Sequence, residues 1–340
     1  MSEILWDGVR AADLTVFARN LAARETDTLV QVLPNRQIDG FRTRQTRVSR
    51  TTTAARFRSF DAETPIGKRP VAVQVSALEL APLGQKLPLR ESEILAKYLQ
   101  GGDLTAVVQT VYDDTENNVA AIINRVKQLR GEFLFSGALT INENGFIQEA
   151  DFGLPADHDL SVGDLDAPWD NGGDAIADEL AWIEKVVEDT GGDRPVFAVT
   201  SSKVARTFLT SPAYLAASGT TQERLTSAQV NQIRADYDLP TLIIDDDKVG
   251  GVRVTPESKF ALATATVGEA QWGDTIEALE LFGSNAVDKV STQAPKITAA
   301  AWKSTDPVNL WSKANATALV VAGDINGLFV AEVLAGTTES

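Results

Sequence analysis

The chain has 340 residues, enough for one large domain or two smaller ones, each with its own core. Hydrophobic residues make up 44% and charged residues 23%, the balance of a soluble globular protein. There is no cysteine and a single histidine, His158, which excludes disulfides and thiolate metal sites and removes most histidine-based metal and acid–base chemistry.

No basic start followed by an apolar run appears, and no apolar run approaches a membrane span, so the expectation is a protein neither secreted nor embedded in a membrane. The net charge of −16 is unevenly spread. From Arg36 to Arg69 nine basic residues stand against three acidic ones, a local charge of +6 that leaves −22 on the remainder. A basic segment on an acidic body has three readings: a solvated loop, a nucleic-acid arm, or an arm that docks on the acidic body of another copy. Docking is favoured, because the acidic body would repel a polyanion and a second copy of the chain would not repel the arm.

In chain order, Ala11 to Ala23 reads as a short helix with Leu14, Phe17, Ala18 and Leu21 on one face, a face that needs either the main body or a neighbouring subunit to cover it. Residues 36–69 alternate in a two-residue rhythm, with Thr51, Thr52 and Thr53 at the expected tip. This predicts a long two-stranded β-arm, polar on both faces and unable to persist alone in water. Pro70 to Ala81 predicts an alternating strand, and Arg90 to Gln100 a short helix closed by Gly101-Gly102.

From Leu104, apolar residues recur at Val107, Val108, Val111, Val119, Ile122, Ile123, Val126, Leu129 and Phe133, three or four apart. That spacing predicts one long helix, although Asp113-Asp114-Thr115-Glu116 offers a capping pattern at which a second could begin. Two strand-like runs, Ala138 to Ile141 and Gly145 to Gln148, then flank Asn144-Gly145, the strongest short signal for a hairpin.

Residues 151–173 form an Asp/Gly/Pro-rich connector that marks a domain boundary, and an α/β module follows. Its expected parts are a helix striped by Ile176, Leu180, Ile183 and Val187, a buried strand at Arg194 to Thr200, and a short helix from Ser202 to Leu209. Next come a helix opened by the capping box Thr226-Ser227-Ala228-Gln229 and a second buried strand at Leu242 to Ile244. The last strong feature, Thr317 to Ala322 and Gly327 to Leu334 around a short turn, predicts a hairpin returning to the sheet beside the long helix.

No catalytic constellation emerges. Asp245-Asp246-Asp247 reads as a solvated turn, since neighbours in an extended segment point opposite ways and no EF-hand spacing accompanies them. His158, between Asp157 and Asp159, reads as a lone surface histidine without a nucleophile motif. Gly191-Gly192 and Gly250-Gly251 are turns rather than phosphate loops. Trp169, Trp182, Trp272, Trp302 and Trp311 read as packing residues instead of a sugar platform. No catalytic residue, metal ligand or cofactor is therefore expected.

In this order the parts resemble the major capsid proteins of tailed bacteriophages, of the HK-97-type fold and the lambda-type (protein E) group. The resemblance rests on segments such as Val71 to Pro88, Gly137 to Gly153, Trp169-Asp170-Asn171-Gly172-Gly173-Asp174 and Ala318 to Leu334. It implies an α+β fold with an N-terminal arm (1–35), an extended β-loop (36–69) and a peripheral domain (70–160) holding a spine helix at about 103–135. An inserted α/β axial domain (161–311) and a return to the peripheral domain (312–340) would complete it.

The implied function is structural and not enzymatic. Subunits would join as hexamers and pentamers of an icosahedral shell around double-stranded DNA held without sequence-specific binding. The shell would be assembled in the host cytoplasm and be part of the virion. Implied partners are the chain itself, a portal protein, a possible decoration protein and, because no helical leader is seen, a separate scaffolding protein. The expected inter-subunit residues are Arg42, Arg44, Arg47, Arg50, Arg56, Phe57, Arg58 and Phe60. Side-chain crosslinking of the loops is not carried over, because Lys68 is the only lysine there. A non-viral nanocompartment shell shares the fold and is the nearest alternative; a nucleic-acid-binding protein and an α/β enzyme with an unrecognised site are more distant ones.

Overall fold

The computed structural model describes residues 9–24, 27–48, 72–101, 105–219, 221–278 and 295–335. Its longest element is helix α3, Thr105–Ser136, after α1 (Ala11–Arg24) and α2 (Glu91–Gly101). At 1.5 Å per residue α3 spans about 48 Å. The apolar stripe read from the sequence is the face it buries: Val107, Val111, Val119, Ile122, Val126, Leu129 and Phe133 are nearly inaccessible. The helix runs through Asp113-Asp114-Thr115-Glu116 without a break. Thr115 does not cap; its hydroxyl donates back to the Val111 carbonyl at 2.7 Å and meets the Ser312 hydroxyl at 3.1 Å. Gly137, with φ +64°, ends the helix by donating to the Phe133 carbonyl.

The sheet under α3 is built on β15 (Val308–Ala322), which pairs on one edge with β4 (Ala81–Arg90). On the other edge it pairs first with β14 (Thr298–Thr305) and then with β13 (Gly268–Gly273), and β1 (Asn35–Gln37) adds to β13 in parallel. Leu310, Ser312, Ala314 and Ala316 turn inward. On the outer face Trp302 stacks on Trp311, with centroids 6.2 Å apart, and the ammonium groups of Lys313 and Lys86 lie over their rings. Helix α1 covers the β14 side of this core: Thr15 exchanges hydrogen bonds with the Ala299 backbone, and Phe17 meets Tyr112 of α3 edge-on at 5.0 Å. The apolar face of α1 is thus covered by the body of its own chain.

A second sheet has the order β7 (Asp159–Leu160), β16 (Leu328–Glu332), β12 (Lys259–Ala263), β8 (Phe197–Thr200), β9 (Thr241–Ile244). Strands β8 and β9 are parallel, β12 runs antiparallel to β8 and β16, and between β9 and β12 the short strands β10 (Lys248–Val249) and β11 (Val252–Arg253) pair with each other. Helices α4 (Ala175–Thr190), α5 (Ser202–Thr207), α6 (Pro212–Ser218) and α7 (Ser227–Asp236) accompany it. The capping box of α7 is present as the sequence predicts. This sheet is a wall between two cores. Ala261 and Ala263 of β12 face the core of α3, whereas Phe260 and Leu262 face a second core with Trp169, Trp182, Phe208 and Phe329. Trp182 stacks there between Trp169 and Phe329, at 5.6 and 5.2 Å.

The predicted hairpin at Asn144-Gly145 forms as β5 (Ala138–Glu143) and β6 (Phe146–Asp151), and both turn residues have positive φ. The predicted C-terminal hairpin does not form. A turn at Ile325–Gly327 carries the chain out of the first sheet, so β15 and β16 belong to different sheets. The strand read at Pro70 to Ala81 also has a different place. As β3 (Ala72–Glu79) it pairs with β2 (Arg42–Val48), making it the return strand of the arm.

Candidate functional site

The β2–β3 ribbon is two strands wide, and among the described residues no third strand bonds to either edge. The pairing runs from Arg42 opposite Glu79 to Val48 opposite Ala72, with a register shift at Arg47/Val48. At the base Arg42 donates to Glu79 across the ribbon at 2.9 and 2.6 Å, and its guanidinium lies 5.0 Å from the ring centre of Phe41, itself half exposed. Arg44 and Arg47 are on β2, opposite Ala77 and Gln74. Arg50, Arg56, Phe57, Arg58 and Phe60 lie outside the described residues.

The ribbon is rooted by charge. Gly40, at φ +80°, donates its amide to Asp274 at 2.8 Å and accepts from the Asp274 amide at 2.9 Å. Lys296 joins Asp274 at 2.9 Å and the Ile38 carbonyl at 2.6 Å. Burial works against the Asp274 charge, but the Gly40 amide and the Lys296 ammonium outweigh it and hold this carboxyl below the usual aspartate range.

Before the root, residues 27–37 form a strap across α3. Arg130 of α3 takes its three partners from it: Asp27 at 2.6 Å, the Leu33 carbonyl at 3.1 Å and the Asn35 side-chain oxygen at 2.5 Å. One turn earlier, Lys127 pairs with Asp27 at 3.3 Å, with Asp245 at 3.2 Å and with Asp247. Asp245 accepts from Thr28 at 3.0 Å and from Thr255 at 2.9 Å. The side chains of Lys127, Arg130, Asp27 and Asp245 are 6, 2, 2 and 1% exposed. Burial disfavours the charge on Lys127, yet the surrounding carboxylates prevail and raise its pKa; at Arg130 burial prevails and lowers it.

Asp246 and Asp247 are exposed, as the solvated turn read from the sequence requires, but Asp245 is buried and corrects that reading. The residues do alternate in direction: Asp245 and Asp247 reach Lys127, while Asp246 turns to the Ser202 amide and Arg253. Asp245 is buried because Lys127 and Thr28, far away in sequence, supply its partners.

His158 is likewise a correction. It is fully buried, its Nδ1 2.8 Å from the Leu328 carbonyl and its Nε2 2.9 Å from Asp189, against the ring of Phe329. Asp157, His158 and Asp189 bring potential ligand atoms within 4.8 Å of one another, but Lys185 already joins the two carboxylates at 2.6 and 3.2 Å. Their lowered pKa values follow: at Asp157 the hydrogen bond from Lys185 is the main cause, and at Asp189 the His158 and Lys185 hydrogen bonds outweigh burial.

Among the described residues no helix is long and apolar enough to cross a membrane.

Over residues 12–333 the chain matches the family described as phage major capsid protein E. No curated protein sequence matches it. Three solved structures share its fold over almost their whole length. A protein assigned as the capsid protein of an E. coli prophage is 13% identical, with a TM-score of 0.63, and the match covers 96% of this chain and 99% of that one. A phage-related protein from Bordetella bronchiseptica is 10% identical, with a TM-score of 0.57 and 98% of each chain covered. A virus-like particle from Pyrococcus furiosus is 10% identical, with a TM-score of 0.52, covering 94% of this chain and 98% of that one. At these identities the likeness is one of fold. The family match, spanning nearly the whole chain, supplies the assignment: the protein belongs to the phage major capsid protein E family.

Proposed function

We propose that this capsid protein builds an icosahedral phage head from hexamers and pentamers, and that the β2–β3 ribbon overlaps a neighbouring subunit. The observation that carries this reading is the ribbon itself, two strands with no third among the described residues, rooted firmly at Gly40. A lone two-stranded ribbon is marginal in water, and a second copy offers what it lacks. Arg44 and Arg47 of the ribbon, with Arg50, Arg56 and Arg58 of the same basic segment of the sequence, then meet acidic groups on the adjacent subunit. In this reading α3 is the spine of a peripheral domain and the second sheet with its helices is the axial domain that meets its copies at ring centres.

The product is a virion component assembled in the host cytoplasm, with a scaffolding protein, a portal protein and a possible decoration protein as partners. An acidic inner wall lets packaged double-stranded DNA slide instead of adhering. Mapping the charges of an assembled particle tests that last point, and a basic lumen ends it.

Negative-stain microscopy of the purified protein shows rings or shells if the reading holds. Charge reversal at two arm positions, Arg47→Glu with Arg50→Glu, is expected to abolish shells while far-ultraviolet circular dichroism stays that of the folded subunit. Normal shells from this variant at physiological salt refute the docking of the arm.

A further inference from the structure

The junction around Lys127 joins three elements that no other polar cluster brings together among the described residues. Helix α3 supplies Lys127 and Arg130, the strap supplies Asp27 and Thr28, and the segment after β9 supplies Asp245 and Asp247. The strap gives Arg130 the one carboxylate it meets among the described residues, so undocking the strap leaves a buried guanidinium without that counter-charge. Lys127 is divided between the strap and the α/β sheet, and Thr28 adds a direct hydrogen bond from strap to sheet. The segment carrying Asp245 is itself fixed in that sheet, through the Asp245 amide to the Thr200 carbonyl and the Val254 amide to the Asp247 carbonyl. At its far end the strap becomes β1, passes Gly40 and enters the ribbon.

We propose that Lys127 couples the docking of the strap to the seating of the α/β sheet on α3, so that a displacement of the ribbon root is felt at the end of β9. Two sites that draw on one buried ammonium cannot be independent. Loss of Asp27 changes the charge that Asp245 faces, and the converse holds to the same degree, because a coupling free energy is reciprocal. The use of this coupling, to report a neighbour's contact at the ribbon to the α/β sheet, rests on the shell reading; the coupling itself belongs to one chain.

Hydrogen exchange of the full-length chain, read by mass spectrometry, tests it. Asp27→Asn is expected to accelerate exchange in residues 27–37 and also in 241–255, and Asp245→Asn to do the same in reverse, each by about fivefold or more in the remote segment. If either substitution accelerates only its own segment and changes the remote one by less than about twofold, the coupling is overturned. Should Asp27→Asn prevent folding, Thr28→Val removes one hydroxyl from the same junction at nearly constant shape, and the same two segments are judged by the same limits. Exchange is read within a single chain. A negative result therefore overturns the coupling and leaves the shell untouched, whereas failure to form rings or shells leaves the coupling standing.

Discussion

The ion pair of Arg234 and Glu179 in the second core permits a prediction in which direction and size both follow from geometry. The guanidinium meets both carboxylate oxygens, at 2.7 and 2.8 Å, and also donates to Tyr214 at 3.0 Å and the Pro240 carbonyl at 3.1 Å, with the two side chains 4 and 0% exposed. Arg234→Met removes the counter-charge and leaves a carboxylate with no access to water, a change that costs about 3–5 kcal/mol.

Burial already pushes the Glu179 pKa up against the pull of Arg234; without that pull the folded-state pKa rises further. Unfolded glutamate titrates near 4.3, so wherever the unfolded variant has released this proton and the folded variant still holds it, stability falls as pH rises. Stability of Arg234→Met is then expected to fall relative to wild type from pH 6 to pH 8, by at most about 1.4 kcal/mol per pH unit. Chemical denaturation at pH 6, 7 and 8 reads this through the tryptophan fluorescence of Trp169 and Trp182, which share the core with the pair. The measurement uses protein that light scattering shows to be free of assemblies. Adding Glu179→Leu removes the buried acid, so most of the stability returns and the pH slope disappears. A deficit that is the same at all three pH values refutes the reasoning, because it means that Glu179 keeps its charge or finds water.

Gly131→Ala places a methyl group against the Val254 carbonyl, where α3 approaches the segment before β12, and is expected to destabilise by about 1–3 kcal/mol in the same assay. At the ribbon root Asp274 has a depressed pKa, so its stabilisation is present above the unfolded aspartate value near 3.9 and is lost as pH falls through the folded value. Wild type is therefore expected to exceed Asp274→Asn in stability at pH 7, and that advantage is expected to shrink as pH falls from 5 to 3. An advantage unchanged at pH 3 contradicts the assignment.

The parts of this fold that were legible in the sequence are those whose cause is local. The stripe on α3, the positive φ of Asn144-Gly145 and the capping box of Thr226 each depend on residues a few positions apart. Strand β4 was not legible, since Pro82, Gly84 and Pro88 interrupt any strand pattern. They are tolerated because β4 pairs with β15 alone and leaves its other edge free of a described strand. The return strand of the arm was visible as a strand, but its partner across the tip was not.

His158 and Asp245 show the limit more sharply. A polar residue is buried only if partners await it, and those partners are Leu328, 170 positions away, and Thr28, 217 positions away. The basic character of the arm could be read from residue counts. The charged junction under the strap that leads into it could not, because Lys127 and Arg130 look like the solvated side of an amphipathic helix until the strap is laid across them.

Strand β12 carries a last consequence. Its neighbouring residues are claimed by different interiors, Phe260 and Leu262 by one and Ala261 and Ala263 by the other. A slip of one residue would drive rings into the space made for methyl groups and leave holes where the rings belong, on both sides at once. Neither half of the molecule can reach its final packing while the other is misaligned, so a subunit is either correct throughout or visibly wrong, a useful property where each copy must fit many others.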